Sequence, residues 1–258
     1  MRGAHLRPRR ARGSVRFVAV ALYFVLSALA VWGDRALYDR AHPTPSAWLT
    51  AKVALPIALT LVALLAARRA GLGRERLGLG RGRTAGYAIA LLAGIAPVAV
   101  VIGHGVSQGF APLLGRESAL LVLRIALNQA WFEELAARGL LLGLLLERGS
   151  AARRAVWVSS GCFALMHVLQ FLWPPLSVEG LLNGLVLVLL TLPVGYALAR
   201  LTLAAGSIWP AVLLHLLLDL TILPQKLQHA SALAIILASV VSVAIVLVAP
   251  TVRLAGKS

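Results

Sequence analysis

The chain has 258 residues, 60% of them hydrophobic, and its 25 Lys and Arg against 9 Asp and Glu give a formal net charge of +16. Soluble domains are about 45–50% apolar, so this composition excludes an ordinary soluble domain. Such a basic charge can indicate nucleic-acid binding, but the basic residues lie between apolar blocks and form no separate basic domain. We therefore expect membrane lipids, and no nucleic acid, as partners of this charge.

The apolar blocks, taken in chain order, predict an all-α fold, a polytopic transmembrane helix bundle of about eight spans. The first block follows an Arg-rich N-terminus, is long and lacks a clear small-residue cleavage site, so we interpret it as a retained signal anchor. We divide the chain into a basic tail with three spans (1–116), a four-span core (117–223) and a last span with its tail (224–258). The predicted spans cover about 17–32, 48–67, 87–106, 119–146, 155–172, 181–199, 207–223 and 231–248.

The loops between these blocks differ in charge. With eight spans, the six arginines of the loop 68–83 fall on the same side as the basic N-terminus and the basic tail. The positive-inside rule then predicts that both termini lie in the cytoplasm. The Arg-, Ala- and Leu-rich composition suggests a bacterial inner membrane. Glycines in the 71–83 segment follow no strand and precede no Lys-Ser/Thr pair, so we predict a flexible, lipid-facing loop rather than a phosphate-binding one.

Ionisable side chains inside the predicted spans carry the main functional signal, since each costs about 2.5–3.5 kcal/mol at a helix centre in hydrocarbon. At 1.5 Å per residue, three spans carry such groups at similar depths. A spacing of four residues puts Glu134 and Arg138 on one helix face, where we interpret them as a buried ion pair. The intramembrane set consists of Glu133, Glu134, His167, His215 and Asp219.

These residue types suit hydrolysis of a peptide by activated water without a covalent nucleophile. We predict Glu133 as the base, His167 as a partner of the same water, and His215 with Asp219 as stabilisers of the oxyanion. Serine hydrolysis is less attractive because no G-x-S-x-G motif is present. The zincin motif H-E-x-x-H is absent as well, and we predict no cofactor. A divalent metal such as zinc stays open, because Glu and His from separate helices can bind one.

The same residues resemble the CPBP family of intramembrane proteases, which includes the type II CAAX prenyl endopeptidases and bacterial bacteriocin-processing or immunity proteins. The family pattern is E-E-x-x-x-R, then F-x-x-x-H, then H-x-x-x-N or H-x-x-x-D, and the resemblance covers about 117–223. The three motifs read here as Glu133-Glu134-Leu-Ala-Ala-Arg138, Phe163-Ala-Leu-Met-His167 and His215-Leu-Leu-Leu-Asp219.

The resemblance implies a glutamate-dependent endopeptidase that acts on a membrane-associated protein or peptide. It implies that Glu133 and His167 activate water, and that His215 and Asp219 stabilise the transition state. The remaining motif residues would be structural or would position the substrate: Glu134, Arg138 and Phe163.

One position departs from the CAAX-processing members, which typically have Asn where this chain has Asp219. An amide can donate to an oxyanion, whereas an ionised Asp219 cannot, so it must be protonated or must orient His215. This difference argues against prenylated CAAX substrates.

Two other functions compete with the protease. A non-catalytic immunity or scaffold protein would use the same core to bind a peptide. A proton-coupled transporter would use the intramembrane Glu and His residues as a proton relay. Transporters often show paired repeats in matching halves, and here the polar set lies in the second half of the chain, which makes transport the weaker alternative.

Overall fold

The computed structural model describes residues 10–40, 50–109, 119, 122–172, 177–221 and 232–249, which form helices and loops and no strand. These residues form eight helices, each overlapping one predicted span, so the all-α class is confirmed. Two of them, Thr84–Gln108 and Val178–Ala205, are long and apolar enough to cross a membrane, while the number of crossings stays a prediction. The helices are α1 (Arg10–Arg40), α2 (Leu55–Arg69, after a π-helical turn Thr50–Ala54), α3 (Thr84–Gln108), α4 (Ile125–Glu133, Leu135–Leu142 and Gly143–Glu147), α5 (Ala152–Met166), α6 (Val178–Ala205), α7 (Trp209–Asp219) and α8 (Ala232–Val248).

Helix α4 lies at the centre and is irregular. Its first two parts, Ile125–Glu133 and Leu135–Leu142, are π-helical, and every residue of the second part is buried. Such π-helical segments are rare and are frequent at functional sites. Because their angular spacing differs from that of an α-helix, the direction in which Glu133 and Glu134 point does not follow from a regular helical wheel.

Helices α1, α2, α5, α6 and α7 pack against α4. Helix α1 packs against α4 and α5, and α3 packs against α6, α7 and α8. Small residues allow α3 to approach α7 closely, since a Cβ atom on Gly94 would lie 2.2 Å from a side-chain atom of Leu217. Ser242 of α8 donates a hydrogen bond to the carbonyl of Ala93 in α3 at 2.7 Å. Large apolar side chains are exposed on the outward faces, as expected for a surface that meets lipid.

The prediction of a flexible, lipid-facing loop between α2 and α3 is wrong, because this segment packs against the protein. Leu72 and Leu77 are buried, and the Ser207 hydroxyl donates to the carbonyls of Gly78 and Gly80 at 3.0 and 2.9 Å. Gly78 has φ +67° and lies against Ile208, where a Cβ atom would be strained and crowded. The glycines therefore let this segment pack on the turn between α6 and α7.

Candidate active site

A fully buried carboxylate, that of Glu134, joins α4 to α7. Its Oε1 accepts a hydrogen bond from Nη1 of Arg138 at 2.7 Å and lies 2.8 Å from Nδ1 of His215. Nη2 of Arg138 also donates to the carbonyl of Gly195 in α6 at 3.0 Å. These four residues, named here the ion-pair network, connect three helices through charge-assisted hydrogen bonds.

His215 lies between two carboxylates. Glu134 is already paired with Arg138 and can only accept, so Nδ1 of His215 carries a proton and donates to it. On the other side of the ring, Nε2 lies 3.5 Å from Oδ2 of Asp219, one helical turn along α7. Both ring nitrogens therefore face acceptors, and the orientation of the imidazole is fixed from two helices.

His167 presents an unprotonated nitrogen. It lies where α5 tightens into the 3₁₀ turn His167–Phe171. The carbonyl of Phe163 accepts a hydrogen bond from Nδ1 of the His167 ring at 2.8 Å. Because a carbonyl only accepts, Nδ1 carries the proton and Nε2 remains a hydrogen-bond acceptor.

The ring of Phe163 contacts Arg138 of the ion-pair network and both histidines, His167 and His215. Its centroid lies 5.0 Å from that of His167 and 5.7 Å from that of His215, both in edge-on geometry. The guanidinium of Arg138 lies over the same ring, 4.1 Å from its centroid. Gly195 packs behind the ring, where a Cβ atom would come within 2.9 Å of it. The aromatic ring thus packs between the guanidinium of Arg138 and the two imidazoles.

An apolar cavity of about 660 Å³ ends at the two histidines. His167, His215 and Asp219 form its polar end, and side chains of α6, α7 and α8 form the rest. Three hydroxyl groups in the lining each donate to a carbonyl of their own segment, so they offer no donor to a ligand. These are the hydroxyls of Thr191, Thr221 and Ser239. The polar groups of the lining that can contact a ligand are therefore those of His167, His215 and Asp219.

The mouth of this cavity is apolar. Leu189 and Leu190 of α6 and Ile236 and Val240 of α8 line it and are also exposed at the outer surface, Leu189 by 65% and Val240 by 58%. The cavity therefore opens sideways, between α6 and α8, onto the apolar surface of the bundle. A hydrophobic ligand can enter by this route without crossing a polar surface.

Glu133 lies beside this arrangement. Its side chain is partly buried and interacts electrostatically with His215 and Asp219, and also with Tyr23 of α1. It does not line the cavity. The structure thus gathers Glu134, His167, His215 and Asp219 directly, with Glu133 at the edge. The contact between Glu134 and His215 had no signal in the sequence, because the spacing of Glu134 indicated only its partner Arg138.

One family matches this part of the chain. Residues 115–221 match the sequence model of a family described as type II CAAX prenyl endopeptidase Rce1-like. This segment is similar to that family. The match confirms the resemblance seen in the three motifs and indicates a membrane-embedded endopeptidase of the CAAX-protease type. It covers less than half of the chain and leaves α1, α2, α3 and α8 outside. Comparisons with curated proteins and with solved structures gave no match.

Most polar atoms of the site side chains named above have a protein partner, and Oε2 of Glu134 is a buried exception. Within the described ranges, no group of three or more His, Cys, Asp or Glu side chains is arranged to hold an ion. Nδ1 of His167 and both ring nitrogens of His215 face protein oxygens, which leaves Nε2 of His167 as the one acceptor nitrogen of this pair. The reaction proposed below is written with these side chains and water.

Proposed function

We propose that the protein is an intramembrane endopeptidase that hydrolyses a peptide bond of a membrane-associated protein or peptide with activated water. One observation carries the proposal: the acceptor nitrogen of His167 and the doubly held ring of His215 meet at the polar end of an otherwise apolar cavity. The match to CAAX-protease-type endopeptidases supports the same class of reaction.

The proposed reaction needs no covalent intermediate. Water donates one hydrogen bond to Nε2 of His167 and transfers a proton to the carboxylate of Glu133 as its oxygen attacks the carbonyl carbon. His215, protonated on both nitrogens and held by Glu134, donates its Nε2–H to the oxyanion. The C–N bond then breaks, and the leaving amine takes the proton from Glu133. The products are a new amine and a new carboxylic acid, which becomes a carboxylate by losing its remaining proton to water.

The apolar mouth supports a substrate that arrives through the membrane. We propose that the hydrophobic part of the substrate lies between α6 and α8, with the scissile bond at the histidine end. Val243→Trp should fill part of the cavity and reduce cleavage, whereas Val241→Trp on the exposed face of the same helix should not. Equal activity of the two variants would rule out this entry route.

The location belongs to the same proposal. The distribution of arginines between loops supports an orientation with both termini in the cytoplasm. The Arg-, Ala- and Leu-rich composition supports a bacterial inner membrane. Reporter fusions at either end, read for cytoplasmic or external activity, test this orientation.

The function is tested by comparing membrane proteomes of cells with the wild-type protein, Glu133→Gln, His167→Ala and a control, Glu179→Gln, at the exposed start of α6. We expect an uncut membrane peptide to accumulate with the first two variants only, at unchanged expression and thermal stability. Retained function in both would favour a scaffold protein, and proton-dependent uptake would favour a transporter. Loss with Glu134→Gln but not with Glu133→Gln would assign the base to the carboxylate that touches His215.

A further inference from the structure

Helix α1 lies outside the segment that matches the Rce1-like family, yet it contacts the chain on both sides of His167. The phenol of Tyr23 donates a hydrogen bond to Sδ of Met166 at 2.9 Å, one residue before the histidine. The indole Nε1–H of Trp32 donates to the carbonyl of Leu169 at 2.8 Å, two residues after it. The α1 helix therefore holds both ends of the backbone transition on which His167 lies.

This transition determines how His167 is presented. The ring donates from Nδ1 to the carbonyl of Phe163, one helical turn back, at 2.8 Å, and the 3₁₀ turn begins at His167 itself. The position of the ring therefore depends on the backbone at this transition. Because Nδ1 carries the proton, Nε2 is an acceptor at the cavity that His167 lines.

The hydroxyl group of Tyr23 serves hydrogen bonding rather than packing. Tyr23 is completely buried, and its phenol oxygen is also hydrogen-bonded to Ser27 of the same helix. A phenylalanine would fill the same space without a hydroxyl to desolvate, so the hydroxyl is explained by its hydrogen bonds rather than by packing. The same phenol interacts electrostatically with Glu133, the proposed base.

We propose that Tyr23 and Trp32 are positioning residues, which fix the α-to-3₁₀ transition and thereby the acceptor nitrogen of His167. This inference rests on the proposed function for its catalytic meaning, while the backbone restraint itself is independent of activity. It makes α1 a necessary part of the active core, although it lies outside the family segment.

The restraint is tested by hydrogen–deuterium exchange on the full-length protein in nanodiscs, measured in peptides that cover 166–172. Tyr23→Phe and Trp32→Phe each remove one donor and keep an aromatic ring. Each should speed exchange there by about fivefold, which is the factor that one lost hydrogen bond of ordinary strength represents. Trp157→Phe is the matched control, since Trp157 is 48% exposed on α5 and packs on Tyr196. Unchanged exchange in both variants, or an equal rise along all of α1 and α5, would overturn the proposal.

The partner of the phenol is tested by a double-mutant cycle. Met166→Leu removes the sulfur acceptor, so adding it to Tyr23→Phe should cause no further change in exchange, and additive effects would contradict the Tyr23–Met166 contact. Once a substrate is known, both donor variants should lower kcat and leave KM unchanged, because the cavity is intact. If the wild-type protein showed no cleavage activity, the proposed function would be wrong, but the exchange result would still test the backbone restraint.

Discussion

The two sides of His215 differ in what they contain. Toward α4 and α6 lies the ion-pair network, where buried charges of opposite sign are hydrogen-bonded to each other and to a backbone carbonyl. Toward α8 lies the cavity, which is apolar except for the end formed by His167, His215 and Asp219. His215 is the residue that both regions share. The charges that fix the fold are thereby kept apart from the groups that can reach a substrate.

This separation has a physical reason. A buried charge is tolerated when a partner and further hydrogen bonds satisfy it, and such a charge is then poorly available to a ligand. A group that must bind water or an oxyanion needs an unused donor or acceptor, which Nε2 of His167 supplies. The comparison predicts that substitutions of residues that only line the cavity reduce activity with little loss of stability, and that substitutions of Arg138 or Gly195 mainly reduce stability.

The largest effect is expected from His167→Ala. Removing the acceptor nitrogen should lower cleavage by roughly 10²–10⁴-fold, the range for a residue that assists proton transfer. The side chain lines the cavity, so the thermal unfolding temperature should change little. Cleavage assays of the purified protein in liposomes, together with a thermal melt, check both parts. Large destabilisation would show that His167 contributes mainly to stability rather than to activity.

The next effect is expected from Arg138→Leu, which leaves Glu134 as a buried charge with one partner fewer. Breaking a buried ion pair costs about 3–5 kcal/mol, so the free energy of unfolding should fall by that amount. Reversible unfolding in mixed micelles measures it. The double variant Glu134→Gln with Arg138→Leu should be less destabilised than Arg138→Leu alone, because no unpaired charge remains. The opposite order would show that the network does not act as a charge pair.

A smaller effect is expected from Gly195→Ala. The added methyl group would come within 2.9 Å of the Phe163 ring and 3.5 Å of Arg138, so the ring must shift. Overpacking of this kind costs about 1–3 kcal/mol. Gly161→Ala on α5, where a Cβ atom meets nothing within 4 Å, is the matched control. Equal stability of the two variants would mean that the Phe163 ring is not tightly held.

The smallest effect is expected from Asp219→Asn. His215 keeps its shorter contact to Glu134 and loses only a carboxylate at 3.5 Å, and an amide can still accept from Nε2 or donate to an oxyanion. We expect kcat within about tenfold of the wild type, which corresponds to about 1.4 kcal/mol. A loss as large as that of His167→Ala would show that the charge of Asp219, rather than Glu134, controls His215.

The spacing within single helices determined part of this arrangement from the sequence. Residues four apart share a helix face, and the pairs Glu134–Arg138 and His215–Asp219 lie close together as that rule requires. Long apolar blocks likewise determined the eight helices, since burial and lipid contact both need continuous apolar faces. These features are local, so no knowledge of the packing was needed to predict them.

The tertiary structure alone decided which partners meet across helices. The hydrogen bond between Glu134 and His215 joins residues 81 positions apart, and the π-helical geometry of α4 changes the directions that a regular helix would give. Packing also brought α8 to the cavity, α1 to the chain around His167, and the glycine-rich segment onto Ser207. Such contacts depend on how helices fit together in three dimensions, which the periodicity of one helix does not encode.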